Sequence, residues 1–179
     1  MTGIPLALLT TPQHAAASPN GILLALIGAI VAGFRRKHAI GGWLFYFIWN
    51  VFSSAGFTIL QLIQDWRSYT PRPWANSTMY LAMLLSAVPR ITALFGIAGV
   101  CIMLLRTMEW RWATLLRTGL VTFFLACAVG VAVDVAFFPS YVATRMATAL
   151  SALPFLAYTL YSRRFAKVFL THDWDGTAR

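Results

Sequence analysis

Two residues of opposite charge, Arg90 and Asp134, stand inside long apolar runs of this 179-residue chain. "LLSAVPRITALFG" at 84–96 holds the first and "FLACAVGVAVDVAFF" at 124–138 the second. In hydrocarbon an isolated charge costs at least about 3 kcal/mol, so each needs a partner or a wet cavity. No other Arg, Lys, Asp, Glu or His falls deep in an apolar run, and the signs are opposite, so the sequence predicts that the two pair. Arg90 is eleven residues from Met79 at the start of its run, and Asp134 is four from Phe138 at the end of its own. Their depths then differ by about 10 Å, and an outward-reaching arginine closes much of that gap. Such a pair can serve as a proton relay or counter-ion site, or as a clamp between two helices. With one pair only, the clamp is placed first.

A polar stripe accompanies it. Asn50, Ser54, Thr58, Gln61 and Asp65 recur at helical spacing on one face of their run. In lipid such a face turns toward protein or water. Thr122, Ala126, Gly130 and Asp134 form a face of small residues that permits close helix approach, and Gly96 and Gly99 offer the same. These features predict one bundle interior holding Asn50, Ser54, Gln61, Arg90, Asp134 and Tyr158. Interhelical hydrogen bonding is the first explanation of the stripe and a solute route the second. Pro89 and Pro154 are expected helix kinks that free a carbonyl one turn back, with Ser86 and Ser151 placed to satisfy those groups.

Catalytic chemistry has little to work with. His14, His38 and His172 lie outside the long runs and far apart. The chain has no G-x-S-x-G, no H-E-x-x-H, no phosphate-cradling glycine loop and no paired membrane aspartates. Cys101 and Cys127 sit in apolar runs, where thiols behave as small hydrophobes. No cofactor, metal site or catalytic residue is expected, and the chain reads as a non-enzyme.

The elements that must position these residues follow from composition. Of the chain, 59% is hydrophobic and 11% charged, with a net charge of +9. A soluble fold of this length cannot bury so much apolar surface. The basic residues sit between apolar runs rather than in a patch with interleaved polar residues, which excludes nucleic acid as the partner and fits a membrane. The fold expected is an all-α polytopic transmembrane bundle. Its four-helix core, 39–165, has spans at about 40–64, 79–105, 120–138 and 146–162, each near the 20 residues that cross hydrocarbon. An N-terminal segment, 1–38, is expected to hold a short fifth span at 19–34, with Ser18 and Pro19 as N-cap and first helical residue. A signal peptide competes there because "HAAAS" looks cleavable, but the first thirteen residues carry no Lys or Arg. Residues 166–179 are expected to be a cytoplasmic tail.

Orientation comes from the cations. Arg35, Arg36, Lys37, Arg106, Arg111, Arg117, Arg163, Arg164, Lys167 and Arg179 share one side of the four spans, against Arg67, Arg72 and Arg145 on the other. The positive-inside rule puts the larger group, with the C-terminus, in the cytoplasm and the N-terminus outside. Arg35, Arg36, Lys37, Arg163, Arg164 and Lys167 stand beside the membrane, where each contact with an anionic lipid headgroup is worth about 1 kcal/mol. Trp66, Trp74, Trp110, Trp112 and Tyr141 mark the interfaces.

Two stretches resemble a bacterial family of four-span inner-membrane proteins of unknown function. "AIGGWLFYFI" at 39–48 opens the core with Gly41, Gly42 and Trp43, and "LPFLAYTLYSRRFAKVF" at 153–169 closes it with Ser162, Arg163 and Arg164. That family opens with Gly-Gly-Trp-Leu, closes with Ser-Lys/Arg-Arg and tends to hold an aspartate in its third span, matched by Asp134. The likeness covers roughly residues 39–170. It implies four core helices in a bacterial inner membrane and carries no activity. The apolar segment before Arg35 and the mid-span Arg90 depart from it.

The expectation is therefore a non-enzymatic inner-membrane protein that binds membrane lipid, a membrane-protein partner or a second copy of itself. A small-solute transporter or channel using the polar interior is the alternative, and an intramembrane enzyme comes third.

Overall fold

The structure, a computed structural model, describes residues 19–35, 42–74 and 76–171. Ser18, Arg36, Lys37, Gly41 and the three histidines lie outside the described residues, and of Arg164 only the backbone is described. Among the described residues there is no strand, and the chain folds as helices α1 (Pro19–Phe34), α2 (Trp43–Gln64), α3 (Ser77–Thr107), α4 (Trp110–Phe137) and α5 (Val142–Tyr161). A short α6 (Arg163–Ala166) then passes into a π-helical turn, Lys167–Thr171. Helices α2, α3 and α4 are long and apolar enough to cross a membrane. The 20 residues of α5 extend about 30 Å, the hydrocarbon thickness, but Arg145 and its hydroxyls leave it more polar. Successive helices α2 to α5 alternate in direction, so one end of the bundle holds Trp43 and Thr107 and the other holds Gln64 and Ser77.

Two helix starts differ from the expected boundaries, for one physical reason. Helix α4 begins at Trp110 rather than near residue 120, and α5 at Val142 rather than 146. Arg111, Arg117 and Arg145 end an apolar run but do not end a helix, because arginine is a good helix former. Arg145 consequently lies in the first turn of α5 and not in a loop.

Helices α1 and α2 form a hairpin. Gly42 adopts φ 59° and ψ −132°, a conformation open essentially to glycine alone, and its N–H donates to the Ala32 carbonyl at 3.2 Å. The Trp49 indole donates to the Leu24 carbonyl at 2.9 Å. Gly28 permits this approach, since a Cβ there would collide with the Trp49 ring. Between α3 and α4 the close contacts are at Gly119, facing Ile97, and Gly130, facing the Ser86 backbone. Gly96 and Gly99 were the expected contacts on α3, but both face open space, so α4 supplies the small residues.

The core gathers at the Trp43 end, where Leu44, Phe47, Cys101, Leu104 and Leu116 pack with Phe165, Val168 and Phe169. The last three are essentially fully buried. The expected tail therefore starts with residues that belong to the core. Ser162 makes the reversal: its hydroxyl accepts from the Phe165 N–H at 3.2 Å, capping α6. Pro89 and Pro154 both sit inside unbroken α-helices.

Candidate functional site

Asp134 is 1% exposed and holds two partners. The Arg145 Nε donates to one carboxylate oxygen at 2.8 Å, and the Ser86 hydroxyl donates to the other at 2.9 Å. Three helices thereby meet at one carboxylate, with Gly130 one turn below it letting α3 come close. This corrects the expected pairing of Asp134 with Arg90. Four residues separate Asp134 from its helix end at Phe138, and Arg145 is the fourth residue of the helix that follows the turn. The two stand at equal depth, whereas Arg90 lies lower on α3. Ser86 is thus committed to the carboxylate rather than to a carbonyl freed by Pro89. Ser151 donates to the Thr148 carbonyl at 2.7 Å, not to that of Leu150, the group Pro154 leaves unbonded.

Arg90 makes no hydrogen bond or ion pair with the Asp134 carboxylate. It lines a cleft of about 590 Å³ between α2 and α5, floored by α3 and α4 and flanked by Leu24 and Ala25 of α1. The polar stripe of α2 opens into the same space: Asn50, Ser54, Thr58 and Gln61 all line it. The stripe does not bridge helices. Asn50 donates to the Tyr46 carbonyl and Thr58 to the Ser54 carbonyl, each within α2. Asp65, the last stripe position, caps the end of α2 instead.

The cleft is polarised along the bundle axis. Toward the Trp43 end it is aromatic. Phe155 of α5 inserts among Trp43, Tyr46 and Phe47, with its ring centroid 5.1 Å from that of Phe47, and this contact closes the cleft's lower end. Ile97, Leu120 and Phe123 continue the apolar wall. Toward the Gln64 end Ser54, Thr58, Gln61, Thr148, Tyr69 and Arg90 join Phe57, Leu62 and Ile91 in the lining, and the cleft gains its polar groups there. Gln61 lies eighteen residues after Trp43, so the cleft follows α2 for about 27 Å. Ser54, Ser151 and Pro154 line it and are exposed, so it opens sideways between α2 and α5.

The loop from Asp65 to Asn76 covers the polar end. The Trp74 indole donates to the Ser68 carbonyl at 2.8 Å, the Tyr80 hydroxyl donates to the Tyr69 carbonyl at 3.0 Å, and Trp74 packs edge-on against Phe138. These bonds hold Tyr69 over the cleft, near enough to Arg90 for their charges to interact. Burial pushes the Tyr69 phenol above its ordinary pKa, partly offset by Arg90.

The residues expected in one interior therefore occupy three places. Asn50, Ser54, Gln61 and Arg90 meet in the cleft. Asp134 forms the junction with Ser86 and Arg145. Tyr158 lies at the Trp43 end, edge-on to Phe165. Arg117, counted only as a topology charge, grips the end of α5: its Nε and Nη2 donate to the Thr159 carbonyl at 3.0 and 2.6 Å, and its guanidinium lies 4.7 Å from the Trp110 ring. Its signal was legible, because an arginine two turns into a helix pairs readily with a neighbouring helix end that lacks N–H donors. Of the expected headgroup residues, Arg35, Arg163 and Lys167 are exposed, and Arg35 lies 5.4 Å from the Phe45 ring. No known protein family, curated protein or solved structure matches this chain.

Proposed function

We propose that the chain is a non-enzymatic, multi-pass protein of the bacterial inner membrane that binds an elongated lipid-like molecule in the cleft between α2 and α5. In this reading α2 to α5 each cross the bilayer and α1 forms a shorter fifth span. The Trp43 end and the C-terminus face the cytoplasm, and Arg35, Arg36, Lys37, Arg163, Arg164 and Lys167 stand at headgroup depth. Likeness to the four-span family belongs to the same proposal and rests on residues 41–44 and 162–164.

One observation carries the binding role: a side-opening cleft about as long as the hydrocarbon is thick, with aromatic rings at one end and hydroxyl, amide and guanidinium groups added to its apolar wall at the other. Its volume of about 590 Å³ falls within the range of small-molecule sites, roughly 300–1,000 Å³. Two facing helices that pack along their length leave no such space. Here α2 and α5 meet chiefly through Phe155. A molecule reaching the opening from the bilayer need not leave hydrocarbon to enter.

The test is lipid retention. Native mass spectrometry of the protein released from mild detergent is expected to show bound lipid on the wild type. Ser54→Trp fills the cleft from an exposed position without touching the buried core, and it is expected to lose that lipid while keeping its helix content. Equal lipid retention by both proteins defeats the binding role. The transporter alternative uses the same cleft, and it gains if Ser54→Trp abolishes solute flux in proteoliposomes while lipid retention is unchanged.

A further inference from the structure

Two guanidinium groups face one carboxylate in the membrane-embedded part of the bundle. Arg145 and Ser86 take both oxygens of Asp134. Arg90, one turn below Ser86 on α3, makes no hydrogen bond or ion pair with any described residue, and it lines the cleft. Summing the three charges leaves one positive charge uncompensated at this depth. A lone cation in hydrocarbon is costly unless water or an anion meets it. Its surroundings within the cleft are neutral: Gln61, Thr58 and Thr148 supply donors and acceptors, and Tyr69 closes the space above.

We infer that the cleft is a site for an amphiphile with a single acidic head group, a carboxylate or a phosphate ester, held at Arg90 with its hydrocarbon chain running toward Phe155. This rests on the lipid-binding reading above and names the class of lipid. A planar guanidinium offers two parallel N–H donors that match the oxygens of either acid. The axial polarity of the cleft sets the direction, since the aromatic floor suits a chain and cannot satisfy a charge. The same arrangement disfavours a cationic amphiphile, whose head would meet Arg90, and a solute with no apolar part, which would leave the Phe47 and Phe155 rings facing water.

The inference is tested on the full chain in dodecylmaltoside micelles, with the tryptophans as reporters, because Trp43 and Trp49 line the cleft. Saturable quenching is measured with 9,10-dibromostearate, dibromostearoyl lysophosphatidate and dibromostearyl alcohol. An acid is expected to bind at least about tenfold more tightly than the alcohol, the factor that a charged hydrogen bond supplies. Arg90→Gln is expected to remove that preference and leave alcohol binding in place, while Arg90→Lys keeps part of it. A tighter carboxylate points to a free fatty acid and a tighter phosphate to a phospholipid product; either supports the inference. Equal affinity for acid and alcohol in the wild type overturns it and leaves the lipid reading standing. An acid preference that survives Arg90→Gln overturns it as well. Saturable quenching by none of the three defeats both. Arg90→Lys, which keeps the charge but not the two parallel donors, carries the test where Arg90→Gln does not fold: a weakened preference for acid supports the inference and an unchanged one overturns it.

Discussion

Asp134 shows what a single residue decides in this protein. Its carboxylate joins three helices, and its partner Arg145 is 13% exposed at the side chain. Removing one member of a buried ion pair strands the other and typically costs about 3–5 kcal/mol, whereas removing both costs far less. Asp134→Leu is therefore expected to lower stability by about 3 kcal/mol or more, and Arg145→Leu added to it recovers much of the loss. Arg90→Leu added instead recovers little. Reversible denaturation of the wild type, the three single variants and the two double variants in mixed micelles measures both couplings, and a larger coupling to Arg90 than to Arg145 removes the junction described here. Tyr69 makes a second residue-level case. Its raised pKa means that the unfolded chain releases the phenolic proton first, so folding loses stability as pH rises past about 10. Absorbance titration at the tyrosinate band is expected to show one phenol ionising late, and Tyr69→Phe removes that late step. The neutral phenol keeps the roof over Arg90 at all lower pH.

At the scale of elements, helix ends are where the bundle is fastened. The chain breaks α5 at Ser162, leaving the Thr159 carbonyl without a helical donor, and Arg117 supplies one from α4. The same guanidinium lies 5.6 Å from the Phe165 ring, so the α5 end and the terminal segment share one anchor. A hydrogen bond from a charged donor contributes about 1.5–3 kcal/mol. Arg117→Gln is accordingly expected to raise the opening of residues 163–171 by about tenfold or more, read as faster trypsin cleavage at Arg163 and Lys167 under native conditions. An unchanged cleavage rate means that Phe165, Val168 and Phe169 hold the segment without it. The element boundaries were only partly legible beforehand. Hydropathy located α2 and α3 closely but started α4 and α5 late, because it registers where an apolar run stops and arginine lets the helix continue. Asn76, whose side chain accepts from the Thr78 N–H at 2.9 Å, marks the start of α3 in the ordinary manner of an N-cap.

For the whole molecule the central contrast is between a packed end and a divided one. Near Trp43 the helices and the terminal segment share one core; farther along, α2 stands away from α5 and the cleft lies between. The proposed crossings follow from the asymmetry of basic residues and can be measured directly. Both native cysteines are buried, so single introduced cysteines report with low background. Cysteines at residues 2 and 72 are expected to react with an impermeant maleimide from the periplasm, and one at residue 179 only from the cytoplasm. Reaction at residue 2 from the cytoplasm removes the crossing by α1 and leaves the other four.

Composition and period alone determine the solvent and the class of fold, because an apolar run of helical length has few alternatives where the backbone must satisfy its own hydrogen bonds. They also mark the residues that need company: Asn50, Ser54, Gln61, Arg90 and Asp134 were all visible as polar groups in apolar runs. Which company each keeps was decided only in three dimensions. Pairing depends on depth and on the facing of helices, and a shift of four residues in the start of α5 brings Arg145 to Asp134 and leaves Arg90 to the cleft. The stripe on α2 shows the same thing: its spacing says that it faces something other than lipid, while the separation of α2 from α5 makes that something a cavity rather than a neighbouring helix.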